Sequence, residues 1–311
     1  MNYCSFFIKD RALFGSYPDE DRFQQLLSNG VKYFVDLTTI TEQQGLYSYK
    51  NNENIQYINF PIIDKKYPTN IVSYVKFIIN ISNIIRQLRN SDKIYIHCKG
   101  GHGRSGVVVA SLLCYVYNIE PDNALEKTTK YHSQREIMRE RWRKIGSPQT
   151  NNQKTFVIKL FKNLYFFKAF KKGNTMGFSN FSFHDIHDPK LNITCSNSEC
   201  LFHIYKNPAD NDHISKMIEL HNPLKCKNYG DKLKTSEKWE KNKIKIMKSI
   251  LKLKIEQHED IKENLLNTGF RKIIYNNKLD SYWGIGDDNN GENYLGKLWM
   301  ELRHEEYSKL D

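Results

Sequence analysis

The chain contains little cysteine and proline, and it lacks long apolar runs. Its 311 residues include 6 cysteines, 8 prolines and 16 glycines. So few cysteines do not form the disulfide framework of small secreted domains, and the composition is unlike collagen or low-complexity sequence. No stretch approaches the roughly 18 apolar residues that cross a bilayer, and the N-terminus lacks a secretory signal pattern. We therefore expect a globular, cytoplasmic protein with no membrane partner.

Acidic residues are the scarcer charged class, and the imbalance is uneven along the chain. Residues 1–170 hold 24 Lys and Arg against 14 Asp and Glu, a net charge of +10, whereas residues 171–311 hold 23 against 21. A basic half attracts anions such as phosphoesters or nucleic acid, and net charge does not choose between them. The abundance of Lys, Asn and Ile is typical of AT-rich genomes, including viral and microbial ones.

The length predicts two domains, each large enough to bury its own core. In the first half, short apolar strands alternate with helical patterns, as in an α/β domain whose central sheet is flanked by helices. The predicted strands are 33–37, 55–60 and 93–97. The predicted helices are 71–88, capped by Thr69, then 107–117 and 150–170. The polar segment Lys171–Thr175 is the predicted boundary, which gives domains 1–170 and 174–311.

The second half has an α+β, mainly helical pattern. Helical stretches are predicted at 199–205, 236–253, 260–267 and 295–305. A loop rich in Gly and Asn, residues 283–293, precedes the last of them.

The segment His97–Gly106, HCKGGHGRSG, follows a predicted strand and opens a predicted helix. That arrangement directs backbone N–H groups and the positive end of a helix at one point, as a bound phosphate requires. A cysteine held there favours the thiolate, so Cys98 is the candidate nucleophile. Arg104 is the candidate bidentate clamp on two phosphoryl oxygens.

This C-x5-R pattern, with a preceding His and a following Ser, resembles the signature of cysteine-dependent protein tyrosine and dual-specificity phosphatases, over about residues 1–165. The resemblance implies a two-step reaction through a cysteinyl-phosphate, with no cofactor and no metal. It also implies an aspartate that protonates the leaving oxygen, for which Asp64 is the candidate. Ser105 is expected to stabilise the departing thiolate. The remaining loop residues are expected to bind substrate or orient the loop: His97, Lys99, Gly100, Gly101, His102 and Gly103.

Residues from about 174 to 308 resemble the NADAR domain, the YbiA-like N-glycosidases. The resemblance lies in Gly177–Phe181, Ser198–Phe202, Leu265–Gly269 and, above all, Asp280–Gly286 with Asn293–Arg303. It implies cleavage of an N-glycosidic bond in riboflavin-pathway intermediates or in ADP-ribose attached to guanine.

Cleavage of a C1–N bond builds oxocarbenium character on the ribose, which a carboxylate stabilises while it activates water. Glu199, on a predicted helix, is the candidate for this role. Trp239 and Trp283 are expected to stack on a base, and Asn180 and Asn293 are expected to bind the edges of the ribose or base. The alternative interpretations, without a functional role, are a solvent-exposed glutamate on the helix and tryptophans that pack in the core.

Two positions depart from the usual NADAR pattern. Asp231 follows Gly230 where many members have Arg, and Tyr275 stands at a commonly acidic position. Cys195, Cys200, His203 and Cys226 do not have the spacing of a standard zinc finger, so no metal is predicted.

The sequence thus predicts a bifunctional hydrolase. One partner would be a phosphoprotein or a phosphorylated nucleotide or RNA, and the other an ADP-ribosyl or ribosyl-base compound. Two alternatives stay open: an RNA 5′-phosphatase in the first domain, and a second domain that binds ADP-ribose or a nucleotide without catalysis.

Overall fold

The computed structural model describes residues 2–168 and 176–310, which form two compact units. Unit 1 covers residues 1–162 and unit 2 covers residues 163–311. The predicted boundary segment, Lys171–Thr175, lies outside the described residues. No helix in the described residues is long and apolar enough to cross a membrane.

Unit 1 is built on a five-stranded sheet with the order β1-β2-β5-β3-β4. Its strands are β1 (Cys4–Ile8), β2 (Ala12–Ser16), β3 (Val31–Asp36), β4 (Gln56–Asn59) and β5 (Lys93–Cys98). The four strands from β2 to β4 in that order are parallel, and β1 pairs antiparallel with β2. Because parallel strands end at one edge, the carboxyl end of the central strand β5 lies between the ends of β2 and β3.

Seven helices accompany this sheet in the described residues: α1 (Glu20–Ser28), α2 (Ile40–Gln43), α3 (Ile71–Gln87), α4 (Arg104–Tyr117), α5 (Pro121–Ser133), α6 (Glu140–Ile145) and α7 (Asn151–Phe161). The first eleven residues of α4 are buried, and the ten that follow Arg104 are apolar or small on every side of the helix. A core helix therefore starts directly from the loop that follows β5.

Unit 2 is mainly helical, with short strands that pack against its core. Its helices are α8 (Ser198–Ile204), α9 (Asn211–Leu220), α10 (Pro223–Gly230), α11 (Glu237–Gln257), α12 (Glu259–Asn267) and α13 (Tyr294–Ser308). Its strands are β6 (Leu164–Phe166), β7 (Ile186–Asp188), β8 (Ile193–Cys195) and β9 (Ile273–Tyr275), with β6 parallel to β9 and β7 antiparallel to β8. One core surrounds the buried Trp299.

Two local predictions are wrong. The helix predicted for 150–170 ends at Phe161, and Leu164–Phe166 is strand β6, which pairs with β9. The apolar spacing of Leu160 and Leu164 resembles a helical face, but a distant strand supplies the partner. The cap of α3 is Asn70 rather than Thr69, because the Asn70 side chain accepts the Ser73 amide hydrogen bond.

Candidate active sites

The loop Lys99–Gly103 joins the end of β5 to the start of α4, so it carries Cys98 at one end and Arg104 at the other. The buried Cys98 Sγ lies 3.6 Å from the Ser105 Oγ. Gly101 has a φ of +73°, and a Cβ there would lie 2.4 Å from the Gly15 carbonyl carbon. Only glycine fits this close approach, so the loop is folded tightly against the end of β2.

The Arg104 guanidinium is 1% exposed and is oriented by three groups. Its Nη1 donates to the Glu42 Oε2 (2.6 Å) and to the Ile62 carbonyl (2.9 Å), and its Nη2 donates to the Glu42 Oε1 (2.9 Å). Asp64 Oδ1 lies 3.0 Å from Nη2. Burial alone would lower the pKa of Arg104, but the bonds to Glu42 and the field of Cys98 raise it. The arginine therefore stays charged beside the thiol.

Glu42 is a site residue that the sequence prediction missed. It lies on α2 and completes a capping box with Thr39, whose amide donates to the Glu42 Oε2 at 3.1 Å. Burial opposes its ionisation, yet the hydrogen bonds from Arg104 lower the pKa of Glu42 overall. The local signal was the T-x-x-E spacing after β3, but nothing local indicates the Arg104 contact, 62 residues away.

His97 lies on β5 and is fully buried, which corrects its prediction as a substrate-binding residue and leaves the alternative prediction that it orients the loop. Its Nε2 hydrogen-bonds the Tyr49 hydroxyl, and its Nδ1 lies 3.8 Å from the Asp36 Oδ1. Burial lowers the pKa of His97 to about 4 despite the nearby Asp36 carboxylate. The His97 imidazole is thus held neutral between Tyr49 and Asp36, one residue before Cys98.

The remaining loop residues differ in exposure. Lys99 and Gly100 are exposed, whereas Gly101 and Gly103 are buried. His102 stacks on Trp142 of α6 at 4.7 Å, and its Nδ1 lies 2.8 Å from the His132 Nε2. Burial lowers the pKa of His102 to about 4. The face of the loop that reaches solvent is therefore made by Lys99 and Gly100.

The basic run Arg135, Arg139, Arg141, Arg143 and Lys144 favours a solvated face or, as an alternative, a surface that docks an acidic substrate, and its first member is neither. Arg135 is 2% exposed and donates to the carbonyls of Gly101 (2.8 Å) and Phe14 (3.0 Å). It therefore fixes the back of the loop. Arg139 and Arg141 are exposed.

Asp64 is 58% exposed on the segment after β4, in the loop that also contributes the Ile62 carbonyl to Arg104. Its carboxylate is therefore beside the Cys98 loop and open to solvent. This is the placement that a residue exchanging protons with a bound phosphoester needs.

In unit 2, Glu199 lies in the first turn of α8 and is 7% exposed. Its Oε2 accepts from the Asn180 Nδ2 at 3.5 Å, and its Oε1 lies 3.3 Å from the His203 Nε2. The Asn180 Oδ1 is buried and has no partner among the described residues. The sequence prediction missed His203 as part of this site, although the i, i+4 spacing with Glu199 places both on one face of a helix.

Glu199 lines a cleft of about 190 Å³ together with Asn180, Trp239 and Trp283. Phe202 packs against both indoles, at 4.8 Å from Trp239 and 5.5 Å from Trp283. Trp239 is 5% exposed, so much of its ring is core, whereas Trp283 is half-buried. Trp283 is therefore the better surface for stacking.

The cleft also contains paired charges that the sequence prediction did not assign to it. Lys168, Lys206 and Lys227 line it, and Lys227 lies 3.0 Å from Asp231. Burial lowers the pKa of Lys168 despite the field of Glu199.

The two departures from the NADAR pattern, Asp231 and Tyr275, both lie at the cleft. Asp231 lies 3.8 Å from the His203 Nε2. Gly230 is required beside it, because a Cβ there would lie 2.1 Å from the His203 Nδ1. Burial raises the pKa of Tyr275, so its hydroxyl stays protonated.

The prediction for Asn293 is corrected. Its Oδ1 accepts the Tyr275 amide hydrogen bond at 2.9 Å, and its Nδ2 donates to the Ile273 carbonyl at 3.0 Å. Its amide group is thus bonded to β9, and Asn293 does not line the cleft. Across residues 2–168 and 176–310, no group of three or more His, Cys, Asp or Glu side chains is arranged to hold a metal ion.

Comparison with known proteins finds two family models. Residues 1–157 match "Swiss Army Knife protein, DSP-PTPase phosphatase domain", and residues 165–305 match "NADAR domain". The chain is 33% identical over 302 residues to "Putative tyrosine phosphatase 197R" of Invertebrate iridescent virus 6, covering 97% of this chain and 91% of that protein.

Two further matches concern one half each. "N-glycosidase YbiA" of Escherichia coli (strain K12) is 40% identical over 67 residues, 22% of this chain and 42% of that protein. A solved structure of Tk-PTP matches with 24% identity and a TM-score of 0.40, covering 51% of this chain and 94% of that one. With both family models and the viral relative in agreement, the chain belongs to the Swiss Army Knife DSP-PTPase phosphatase family in its first half and carries a NADAR domain in its second.

Proposed function

We propose that unit 1 hydrolyses phosphate monoesters through a cysteinyl-phosphate at Cys98. The observation that carries this proposal is the Arg104 Nε–H, which is buried and has no acceptor in the part of the chain that the structure describes. The other guanidinium nitrogens are held by Glu42 and Ile62. A phosphoryl oxygen would satisfy the free donor, and Asp64 would release Nη2 to a second oxygen.

In the first step, the Cys98 thiolate attacks phosphorus, the S–P bond forms, and the ester P–O bond breaks. The leaving oxygen takes a proton from the Asp64 carboxylic acid. In the second step, water attacks phosphorus while the Asp64 carboxylate takes the water proton. The S–P bond breaks, phosphate leaves, and the Ser105 hydroxyl, 3.6 Å from the sulfur, stabilises the returning thiolate.

The test is phosphate release from p-nitrophenyl phosphate by wild type, Cys98→Ser and Cys114→Ser. Cys114 is a buried cysteine of α4 outside the site and provides a matched control. We expect Cys98→Ser to lose turnover and Cys114→Ser to keep it. Rapid quench and mass spectrometry should detect a phosphoryl group on Cys98, and turnover by Cys98→Ser at the wild-type rate would refute the proposal.

The substrate class is a separate question, because the +10 charge of residues 1–170 suits phosphorylated RNA as well as acidic phosphopeptides. Comparing kcat/KM for a phosphotyrosine peptide with that for 5′-triphosphorylated RNA distinguishes the tyrosine phosphatase from the RNA 5′-phosphatase. A higher kcat/KM for the RNA would identify unit 1 as an RNA 5′-phosphatase.

We also propose that the unit 2 cleft hydrolyses an N-glycosidic bond of an ADP-ribosyl or phosphoribosyl substrate. The observation that carries this proposal is the Glu199 carboxylate, buried beside an Asn180 Oδ1 that has no partner in the described residues. That oxygen would accept from a ribose hydroxyl, and Trp283 would stack on the base.

Water attacks C1 of the ribose, and the C1–N bond breaks with its electron pair going to the base nitrogen. Glu199 takes the water proton, and the leaving base nitrogen takes a proton from solvent. His203 and Asn180 hold the two carboxylate oxygens in place. Release of ADP-ribose from an ADP-ribosylated guanosine should be lost in Glu199→Gln and kept in Glu263→Gln, an exposed control. Hydrolysis that survives in Glu199→Gln would refute the assignment, and ligand binding without any turnover by wild type would favour the binding-only alternative.

A further inference from the structure

One loop of unit 2 carries Asn180 to Glu199 without forming a helix or a strand. We call residues 177–182 the Asn180 loop, and all of them are buried. Buried loops are rare, because water does not reach their backbone and each carbonyl needs a donor from elsewhere in the fold. The groups that supply those donors therefore determine where Asn180 lies.

A single buried side chain bonds to this loop at three places. The Lys254 ammonium group, on α11, donates to the Gly177 carbonyl at 2.7 Å and to the Ser179 carbonyl at 2.9 Å. It also donates to the Ser182 Oγ at 2.8 Å. An ammonium group has three N–H donors, so all of them are used on this loop. Lys254 thus joins the first residue of the Asn180 loop to the last.

The same loop holds Glu199 in two ways. The Asn180 carbonyl accepts the Glu199 amide hydrogen bond at 3.2 Å, and the Asn180 Nδ2 donates to the Glu199 Oε2 at 3.5 Å. The Met247 Sδ of α11 accepts from the same Nδ2 at 3.6 Å. Positions seven apart lie on nearly the same side of a helix, so Met247 and Lys254 present one face of α11 to the loop. That face holds both the loop backbone and the amide side chain that contacts Glu199.

Packing alone does not account for a lysine at this position. Lys254 is fully buried, and burial lowers its pKa to about 7, because the ammonium form is poorly solvated there. Replacing buried charged groups by apolar side chains of similar volume is often neutral or stabilising, so a methionine would fill the same space at no loss of stability. What a methionine lacks is the set of three donors that Lys254 directs to one loop.

We propose that Lys254 is a positioning residue of the Glu199 cleft, which fixes the Asn180 loop so that Asn180 orients the Glu199 carboxylate. Lys254 does not line the cleft, whereas Asn180 and Glu199 do, so the lysine acts through the loop and not on a substrate. This inference rests on the proposed glycosidase function for the reaction that Glu199 performs.

The first test is amide hydrogen exchange of the full chain in wild type, Lys254→Met and Lys245→Met. Lys245 is an exposed lysine of α11 and provides the matched control. In Lys254→Met we expect faster exchange in the Asn180 loop and at the Glu199 amide, while α9 exchanges as in wild type. Unchanged protection of the Asn180 loop would show that Lys254 does not hold it and would overturn the proposal.

Ser182→Ala is a milder second variant. It removes one acceptor of the Lys254 ammonium group and leaves the lysine in place. We expect the same local pattern of faster exchange, smaller than in Lys254→Met, whereas Ser249→Ala, at an exposed serine of α11, should exchange like wild type. If Lys254→Met does not fold, Ser182→Ala decides the question. Wild-type protection of its Asn180 loop, or equal loss of protection throughout unit 2, would overturn the proposal.

The second test is a double-mutant cycle of Lys254→Met with Asn180→Ala, measured as kcat for release of ADP-ribose from an ADP-ribosylated guanosine. A displacement of the loop by about 1 Å should lower kcat by about 10²-fold in Lys254→Met, and Lys245→Met should match wild type. Because Lys254 acts through Asn180, the double variant should lose much less than the product of the two single losses. Losses that multiply would mean that the two residues act independently and would overturn the proposal.

The exchange measurement separates this proposal from the glycosidase proposal, because exchange does not depend on turnover. If Glu199→Gln releases ADP-ribose like wild type, the glycosidase assignment fails, and local loss of protection in Lys254→Met still shows that the lysine positions Glu199. If Glu199→Gln loses turnover while Lys254→Met keeps both its protection and its kcat, the positioning proposal fails and the glycosidase assignment stands.

Discussion

Glu42 should be necessary to the phosphatase site because it holds the motif arginine, Arg104. Arg104 is 1% exposed, and Glu42 supplies two of its acceptors, at 2.6 and 2.9 Å. In Glu42→Gln the side chain keeps its shape but loses its charge, and one carboxylate oxygen becomes an amide that cannot accept. The guanidinium then keeps the Ile62 carbonyl and Asp64 as its anchors.

The magnitude follows from these bonds. A hydrogen bond to a charged group contributes about 1.5–3 kcal/mol, and Glu42→Gln removes one such bond and weakens the other. We expect about 2–3 kcal/mol less stability for unit 1, which is below the roughly 3–5 kcal/mol for a fully buried ion pair because Glu42 is 18% exposed. A displacement of the guanidinium by about 1 Å should lower kcat by about 10²-fold.

The assay pairs denaturant unfolding with p-nitrophenyl phosphate turnover, and Glu53→Gln, an exposed change of the same chemistry, is the control. Wild type should also lose the Glu42 contribution in acid. The pKa of Glu42 is lowered in the folded chain, so this contribution is present above the unfolded pKa of about 4.3 and disappears as pH falls through the folded value. Turnover and stability within error of the Glu53→Gln control would refute the reasoning.

Three further outcomes are expected. Asp64→Asn should lower kcat by about 10²–10⁴ for an alkyl phosphate and much less for p-nitrophenyl phosphate, whose leaving group needs no proton; equal losses would exclude Asp64 as the acid. Burial lowers the pKa of Lys254 to about 7. The buried ammonium group therefore destabilises the fold fully below pH 7, and this destabilisation decreases as pH rises toward the ordinary lysine pKa of 10.5. In denaturant unfolding, the free energy of unfolding of wild type should therefore rise relative to that of Lys254→Met by about 1.4 kcal/mol per pH unit in that window. A difference between the two that does not change with pH would contradict this. Gly230→Ala should displace His203 and abolish ADP-ribose release while phosphate release continues, and unchanged ADP-ribose release would show that the 2.1 Å clash is accommodated.

The sequence indicated the phosphatase loop because its chemistry is local. Cys98 and Arg104 are six residues apart between a strand and a helix, and one loop folds both to one place. The sequence prediction missed Glu42 because its partner lies 62 residues away and because a capping box already accounts for a glutamate at this position.

The wrong predictions have a related origin. Arg135 and Asn293 are polar residues in polar stretches, so local composition predicted solvent or substrate contact. Each instead satisfies backbone groups of a distant segment: Arg135 the carbonyls of Gly101 and Phe14, and Asn293 the backbone of β9. Local sequence does not show which carbonyls a fold leaves without a partner, and buried polar side chains are placed to supply those partners.

The same dependence on distant partners makes an intact motif insufficient evidence of activity in either unit. Arg104 is oriented by Glu42 of α2, and Glu199 is oriented by Asn180, 19 residues before it, and by His203, which also faces Asp231. A substitution of one of these partners leaves the sequence motif intact but displaces the reacting group. Because His203 lies 3.3 Å from Glu199 and 3.8 Å from Asp231, the acidic residue at position 231 competes for the same imidazole nitrogen. If His203 donates to Asp231, the Glu199 Oε1 loses this hydrogen-bond donor, so this departure from the usual pattern acts on the carboxylate through the histidine.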